Sequence, residues 1–185
     1  MYNPDPKRLR QFWRAFQQLY LDLYGSRLAC IAAMKGHAPA AGCMLALSCD
    51  YRILSGGKIG LNESKLGIAA PPWLGRQMVD TIGKRPAELA MSLGTLYSPE
   101  EALAIGLVDE VADDVDARAL EMAAQFTAIP PHARYASKML VRQERLDELV
   151  RTRDADLEHF VAFVTNDKVQ HSIGHYLEAL SKKKK

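Results

Sequence analysis

Cysteine is scarce in this 185-residue chain, and its number is odd: Cys30, Cys43 and Cys49. None of the spacings is CxxC and no histidine pair accompanies them. This excludes a disulfide framework and a Cys/His zinc site, and points to reduced thiols in an intracellular compartment. Cys49, at the end of Leu45-Ala46-Leu47-Ser48-Cys49, reads as a small core residue. Long apolar runs are also missing. None approaches the ~20 residues that span a bilayer, so no membrane span is expected. Neither sign of charge dominates, at +2 overall, and four of the positive charges are Lys182 to Lys185. That run reads as a solvated, frayed tail, and the rest of the chain has no basic face interleaved with aromatics to hold nucleic acid. There is no Gly-rich Lys-Ser/Thr turn for a nucleotide phosphate and no metal-ligand set, so no metal is expected. Met1–Pro6 shows neither the apolar stretch of a signal peptide nor the pattern of a transit peptide.

What is present suits a sizeable core, since 48% of the residues are hydrophobic. Leu9, Phe12, Trp13, Phe16, Leu19, Tyr20 and Leu23 recur at helical spacing and predict an amphipathic helix over about 7–24. Leu28 to Met34 is nearly all apolar, as expected of a parallel strand buried on both faces. A small-residue turn over Gly36–Gly42 leads into a buried helix at about 42–49. Strands are predicted at 51–54 and 58–61 around Ser55-Gly56-Gly57, and at 107–111. Helices are predicted at 72–82 and 86–93. Ser98-Pro99-Glu100-Glu101 carries the N-cap serine, early proline and third-position glutamate that open another. From Asp116 the chain reads as helical to about Leu180, interrupted at Ile129-Pro130-Pro131. Strand, turn and helix alternate before a helical tail, which is an α/β pattern.

Two segments carry chemistry. In Lys35-Gly36-His37-Ala38-Pro39-Ala40-Ala41-Gly42-Cys43 only small side chains precede an apolar helix, so bare backbone N–H groups can face a ligand oxygen. In Ile59-Gly60-Leu61-Asn62-Glu63 a single carboxylate follows a short apolar strand. With Leu61, Leu66, Ile68 and Trp73 around it, Glu63 is expected to be desolvated and a better base for it. Asn62 stands beside it and is a candidate to orient it. An ordinary tight turn and a surface glutamate are the commoner uses of such segments. Together, though, an amide cradle and a lone carboxylate can move a proton next to a carbonyl. Asp50 and Arg52 read as structural, pairing with each other or capping backbone, and His37 reads as exposed.

The order of small-residue turn, Cys49-Asp50-Tyr51-Arg52-Ile53-Leu54, Ile59-Gly60-Leu61-Asn62-Glu63 and Leu66-Gly67-Ile68 resembles the crotonase (enoyl-CoA hydratase/isomerase) superfamily. Within it the resemblance is to the mitochondrial Δ3,Δ2-enoyl-CoA isomerases. It continues through Pro72-Trp73-Leu74, Ile129-Pro130, His132-Ala133-Arg134 and Arg153-Asp154-Ala155-Asp156, covering the chain from about Arg10. It implies a ββα spiral, with a partial crotonase core over 1–128 and a C-terminal helical region over 129–185 for trimer packing and acyl covering. It implies that family members carry further ββα turns ahead of the first helix, ending in a loop resembling Phe-Ser-Ala-Gly-x-Asp that gives one oxyanion amide. Met1–Leu9 holds no such loop, so the expectation is an N-terminally truncated core, impaired in stability and rate on its own.

The resemblance also assigns roles. Ala41 falls where the family places an oxyanion amide, with Gly36, Pro39, Ala40 and Gly42 shaping the turn against substrate. Glu63 falls on the base. Met44 stands where the hydratases of the superfamily hold a second glutamate that activates water, which favours isomerisation over hydration. Phe160 and Phe163 fall on the acyl- or CoA-covering surface. The implied activity is conversion of 3-enoyl-CoA to 2-trans-enoyl-CoA in β-oxidation of unsaturated fatty acids. Coenzyme A is part of the substrate, no other cofactor is implied, and a homotrimer in the mitochondrial matrix is. Two alternatives stay open: a catalytically impaired crotonase-like chain acting in assembly, and an enoyl-CoA hydratase.

Overall fold

Asp5 opens the first helix: its carboxylate accepts from the Arg8 amide at 2.7 Å and Pro6 takes the first helical position, where no amide is needed. The computed structural model describes residues 1–182, and Lys183 to Lys185 of the terminal lysine run lie outside them. Helix α1 runs Pro6–Tyr24. It is followed by β1 (Ile31–Met34), β2 (Ala38–Pro39), α2 (Ala41–Ser48), β3 (Tyr51–Leu54) and β4 (Ile59–Gly60). A 3-10 turn over Glu63–Leu66 leads to α3 (Pro72–Ile82), α4 (Lys84–Leu93), α5 (Pro99–Ala104) and β5 (Glu110–Val111). The chain closes with α6 (Val115–Thr127), α7 (Pro131–Val164) and α8 (Asp167–Lys182).

Two parallel sheets form. One has the order β1-β3-β5, with Ile31 opposite Tyr51 and Ile53 opposite Glu110. The other pairs β2 with β4, Ala38 opposite Ile59 and Pro39 opposite Gly60. Strand–strand–helix turns repeat, β1-β2-α2 and then β3-β4-α3, in keeping with the ββα spiral that the family resemblance implies. The predicted capping box at Ser98 is present, with the Glu101 amide bonded to Ser98 Oγ and the Ser98 amide to the Glu101 carboxylate.

Some expectations need correcting. The strand expected over Leu28–Met34 starts only at Ile31, and it is an edge strand, half-buried with Ala33 and Leu28 in solvent, so it is not covered on both faces. The 107–111 strand shrinks to two residues, since Leu107 and Val108 turn into the core without pairing. The α4 helix begins two residues ahead of Pro86, which sits in its first turn where a proline breaks no intrahelical bond. The helical tail breaks a second time at Thr165-Asn166. Asp50 and Arg52 do not pair with each other. Asp50 is held between Lys138 (2.9 Å) and Arg142 (3.1 Å) of α7 and accepts from the Cys30 amide, while Arg52 pairs with Asp109 at 2.9 Å.

One core runs through the chain. Leu9, Trp13 and Tyr20 of α1 share it with Met44 and Leu47 of α2, Leu74 and Met78 of α3, and Leu149, Leu157 and Val164 of α7. It therefore crosses the expected 128/129 division, which falls in the bend between α6 and α7. Trp13 stacks on Phe160 with ring centroids 3.4 Å apart. Asp156 of α7 accepts from the indoles of Trp13 (2.8 Å) and Trp73 (3.3 Å) and from Gln17 (2.7 Å). This carboxylate ties α1, α3 and α7 behind the loop that carries Glu63.

Candidate active site

Pairing of β2 with β4 puts the two chemical segments side by side. The Ala38 amide donates to the Lys58 carbonyl and the Ala40 amide to the Gly60 carbonyl, both at 2.9 Å, while the Lys58 amide donates to His37 Nδ1 at 3.1 Å. Gly57 lies flat against this turn with φ +77°, and a Cβ there would come within 2.6 Å of the Gly36 and His37 backbone. The chain then rises into α2 through Ala40, which has φ 51° and ψ −115°, a conformation an alanine adopts only under strain. Ala41 is the first residue of α2. Its amide and that of Gly42 donate to no other group among the described residues, as the first turn of a helix requires. Ala41 and Pro39 are exposed and Gly36, Ala40 and Gly42 half-buried, so the turn forms an open lip with bare amides.

Three residues past β4, Glu63 opens the 3-10 turn and is 8% exposed. The Ile68 amide returns to the Glu63 carbonyl at 3.1 Å, and Gly67 closes the turn in the left-handed region. The side chain faces a cavity of about 320 Å³ lined by Leu61, Ser64, Ile68, Ala69, Ala70, Met91 and Ser92. Glu63 Oε2 is buried and has no hydrogen-bond partner among the described residues. Burial pushes the carboxyl above its ordinary value of 4.5, with a backbone amide pulling weakly the other way. Among the described residues no other ionisable side chain lines that cavity.

The neighbourhood differs from the sequence expectation in four places. Trp73 does not flank Glu63: its ring lies in the aromatic cluster with Trp13, Phe16 and Tyr20, and Met91 and Ser92 from the end of α4 take the place beside the carboxylate. Met44 is fully enclosed in the core, so it does not line the open cleft. Asn62 Oδ1 is buried without a partner, and no side-chain bond joins Asn62 to Glu63. Phe160 and Phe163 line a separate narrow slot with Trp13 and the Ala69–Pro72 segment. Ala69 and Ala70 are the wall between that slot and the Glu63 cavity. Sequence reasoning missed Met91, Ser92, Ala69 and Ala70. The alanines were adjacent to the motif, but nothing local places residues 91 and 92 against residue 63.

Above the loop, α8 lies across Gly67: a Cβ on that residue would fall 2.3 Å from the Ser172 Cβ. Ile68, Val169 and Ile173 form a small apolar cluster with Leu66 and Phe163. Among the described residues no group of three or more His, Cys, Asp or Glu is placed to hold a metal ion, and no helix is long and apolar enough to cross a membrane.

A family model described as enoyl-CoA hydratase/isomerase matches residues 1–184. The chain belongs to the enoyl-CoA hydratase/isomerase family. Enoyl-CoA delta isomerase 1, mitochondrial, of Rattus norvegicus is 46% identical over 189 residues, covering 100% of this chain and 65% of the relative. The Homo sapiens protein of the same name is 45% identical, with 100% and 63% covered. The chain thus spans just under two thirds of the length of these relatives. The crystal structure of human mitochondrial delta3-delta2-enoyl-CoA isomerase superposes with a TM-score of 0.96 at 44% identity, covering 100% of this chain and 73% of that one. An enoyl-CoA hydratase from Bacillus halodurans has a TM-score of 0.81 at 23% identity over 91% of this chain and 68% of that one, which speaks for the fold alone. The family likeness reaches Met1, further than the Arg10 start legible from motifs.

Proposed function

We propose that this chain isomerises 3-cis- and 3-trans-enoyl-CoA thioesters to 2-trans-enoyl-CoA, a step in β-oxidation of unsaturated fatty acids. The observation that carries the reading is Glu63: a buried carboxylate whose Oε2 has no partner and whose cavity holds no other ionisable side chain among the described residues, three positions past the strand that pairs with the turn of bare amides. The Glu63 carboxylate takes a proton from C2. The C2–H electron pair becomes the C1–C2 double bond of a dienolate, and the thioester oxygen takes the negative charge. The Ala41 amide, with the Gly42 amide beside it, holds that oxygen. The protonated Glu63 then returns the proton to C4, and the C3–C4 double bond moves to C2–C3. Desolvation suits both halves of this cycle, because it makes the carboxylate a stronger base and its acid form accessible.

Hydration fits less well. It needs a second ionisable group to hold and deprotonate water, and among the described residues none lines the Glu63 cavity. The isomerisation is redox-neutral and moves one proton, so the chemistry calls for no cofactor beyond the coenzyme A of the substrate. The partners proposed are that acyl-CoA and two further copies of the chain in a homotrimer. The mitochondrial matrix is the proposed site of action, in line with relatives named as mitochondrial.

The test is an isomerase assay with 3-enoyl-CoA. Glu63→Gln is expected to lose about 10²–10⁴ in rate, the usual worth of a positioned base. Ala41→Pro removes the amide donor at the first helical position, where proline has no intrahelical bond to break. It is expected to lose about 10²–10³ with helix content retained. A Gln variant with near-wild-type turnover overturns Glu63 as the base.

A further inference from the structure

His171 and His175 stand one turn apart on α8, and their Nε2 atoms share a hydrogen bond at 2.9 Å with the rings nearly perpendicular, so a cation would take the place of the shared proton. We propose that this pair is a two-histidine clip for a borderline divalent transition-metal cation such as Ni²⁺, Cu²⁺ or Zn²⁺. Histidines at i and i+4 share one helix face, the spacing used by helical metal sites. The separation also fits. Two imidazole nitrogens each ~2.05 Å from one ion, at the right angle of tetragonal or octahedral coordination, are about 2.9 Å apart, and a tetrahedral ion needs only about 0.4 Å more. Imidazole is the ligand such ions prefer. Both side chains are exposed and lie off the packing face of α8, which is set by the buried Val169 and Ile173, so an ion reaches them without moving the fold. No third protein ligand is placed with them among the described residues, so water completes the shell.

The consequence is mechanical. The bridged turn contains Ser172, which rests on Gly67, and Ile173, which packs on Ile68, so a bound ion fastens the part of α8 that covers the loop after Glu63. An ion bound by the formed helix and not by the unfolded chain stabilises it by mass action.

The experiment is isothermal titration of the full, untagged chain with NiCl₂ and, separately, ZnCl₂, beside thermal melts with and without each ion. One saturable site is expected. His171→Gln and His175→Gln should each weaken it by about tenfold or more and abolish the rise in melting temperature, whereas His132→Gln should change neither. Both targets are exposed, so circular dichroism should report unchanged helix content in the variants. Absence of saturable binding, or binding that survives both replacements, overturns the proposal.

Discussion

Burying the Glu63 carboxylate costs folding free energy that a neutral side chain at the same place does not. Because its folded pKa is raised, the folded chain holds that proton more tightly than the unfolded one. Below the ordinary value of 4.5 both states are protonated and nothing is lost; as pH rises toward the folded pKa, the penalty grows to its full size. Glu63→Gln is therefore expected to be more stable than wild type at pH 7 in urea denaturation, with the difference closing as pH falls past 4.5. A Gln variant less stable at pH 7 contradicts the desolvated carboxylate. The same shift places the acid limb of kcat/KM above the ordinary carboxylate range. Ala40 is the second residue under strain. At φ 51° it is where glycine fits best, so Ala40→Gly should be neutral or stabilising by about 1 kcal/mol. Ala124→Gly within α6, where no strain is relieved, should lose about 1 kcal/mol. Equal losses in the two variants would contradict a strained Ala40. The small-residue turn is visible in the sequence as a local pattern, whereas Glu63 stands out there only through the resemblance of Ile59–Glu63 to the isomerase motif, a lone glutamate in such a turn being more often a surface residue. Met91 and Ser92 were not legible, because only the path of α3 and α4 brings them to the carboxylate.

The second helix is held at both ends by different means. Its first amides stay free beside β4, whereas its last carbonyls, Ser48 and Cys49, accept from Arg142 of α7 at 3.3 and 3.1 Å. Asp50 completes this clamp by facing Lys138 and Arg142, and all three side chains are nearly buried. Removing the carboxylate leaves two buried cations, so Asp50→Ala should lose about 3–5 kcal/mol, read as a lowered denaturation midpoint. A loss under about 1 kcal/mol would mean the ions are solvated. Helix starts such as Ser98-Pro99-Glu101 were legible because capping is chemistry among neighbours. Strand ends were not. The two-residue strands β2, β4 and β5 exist only through their partners, and Leu28–Met34 is apolar enough to read as a covered strand although it lies at a sheet edge. The ion-pair partners of Asp50 and Arg52 lie 57 to 92 positions downstream, beyond the reach of local pattern.

Over the whole molecule, the α/β class and the helical tail were legible because strand, turn and helix alternate before the period becomes helical, whereas the spiral came from the family resemblance. The docking of α7 across α1 was not legible, since an amphipathic helix does not name its partner. Large apolar side chains remain in solvent, with Leu120 at 73%, Leu140 at 88% and Val141 at 78% exposure. Leu140 and Val141 are adjacent on α7, where such exposed apolar side chains are the ones the proposed homotrimer would cover. Sedimentation velocity at micromolar concentration should therefore show a species larger than a monomer, and Leu140→Glu should shift it toward monomer; a monomer at every concentration contradicts the assembly. The central claim is that one carboxylate, Glu63, carries the proton from C2 to C4. It is tested most directly by turning over a C2-deuterated 3-enoyl-CoA in ordinary water and locating the label in the product by mass spectrometry and NMR. A buried base sheltered from exchange predicts that a measurable share of the deuterium reappears at C4. Rapid isomerisation with solvent hydrogen alone at C4 would contradict it.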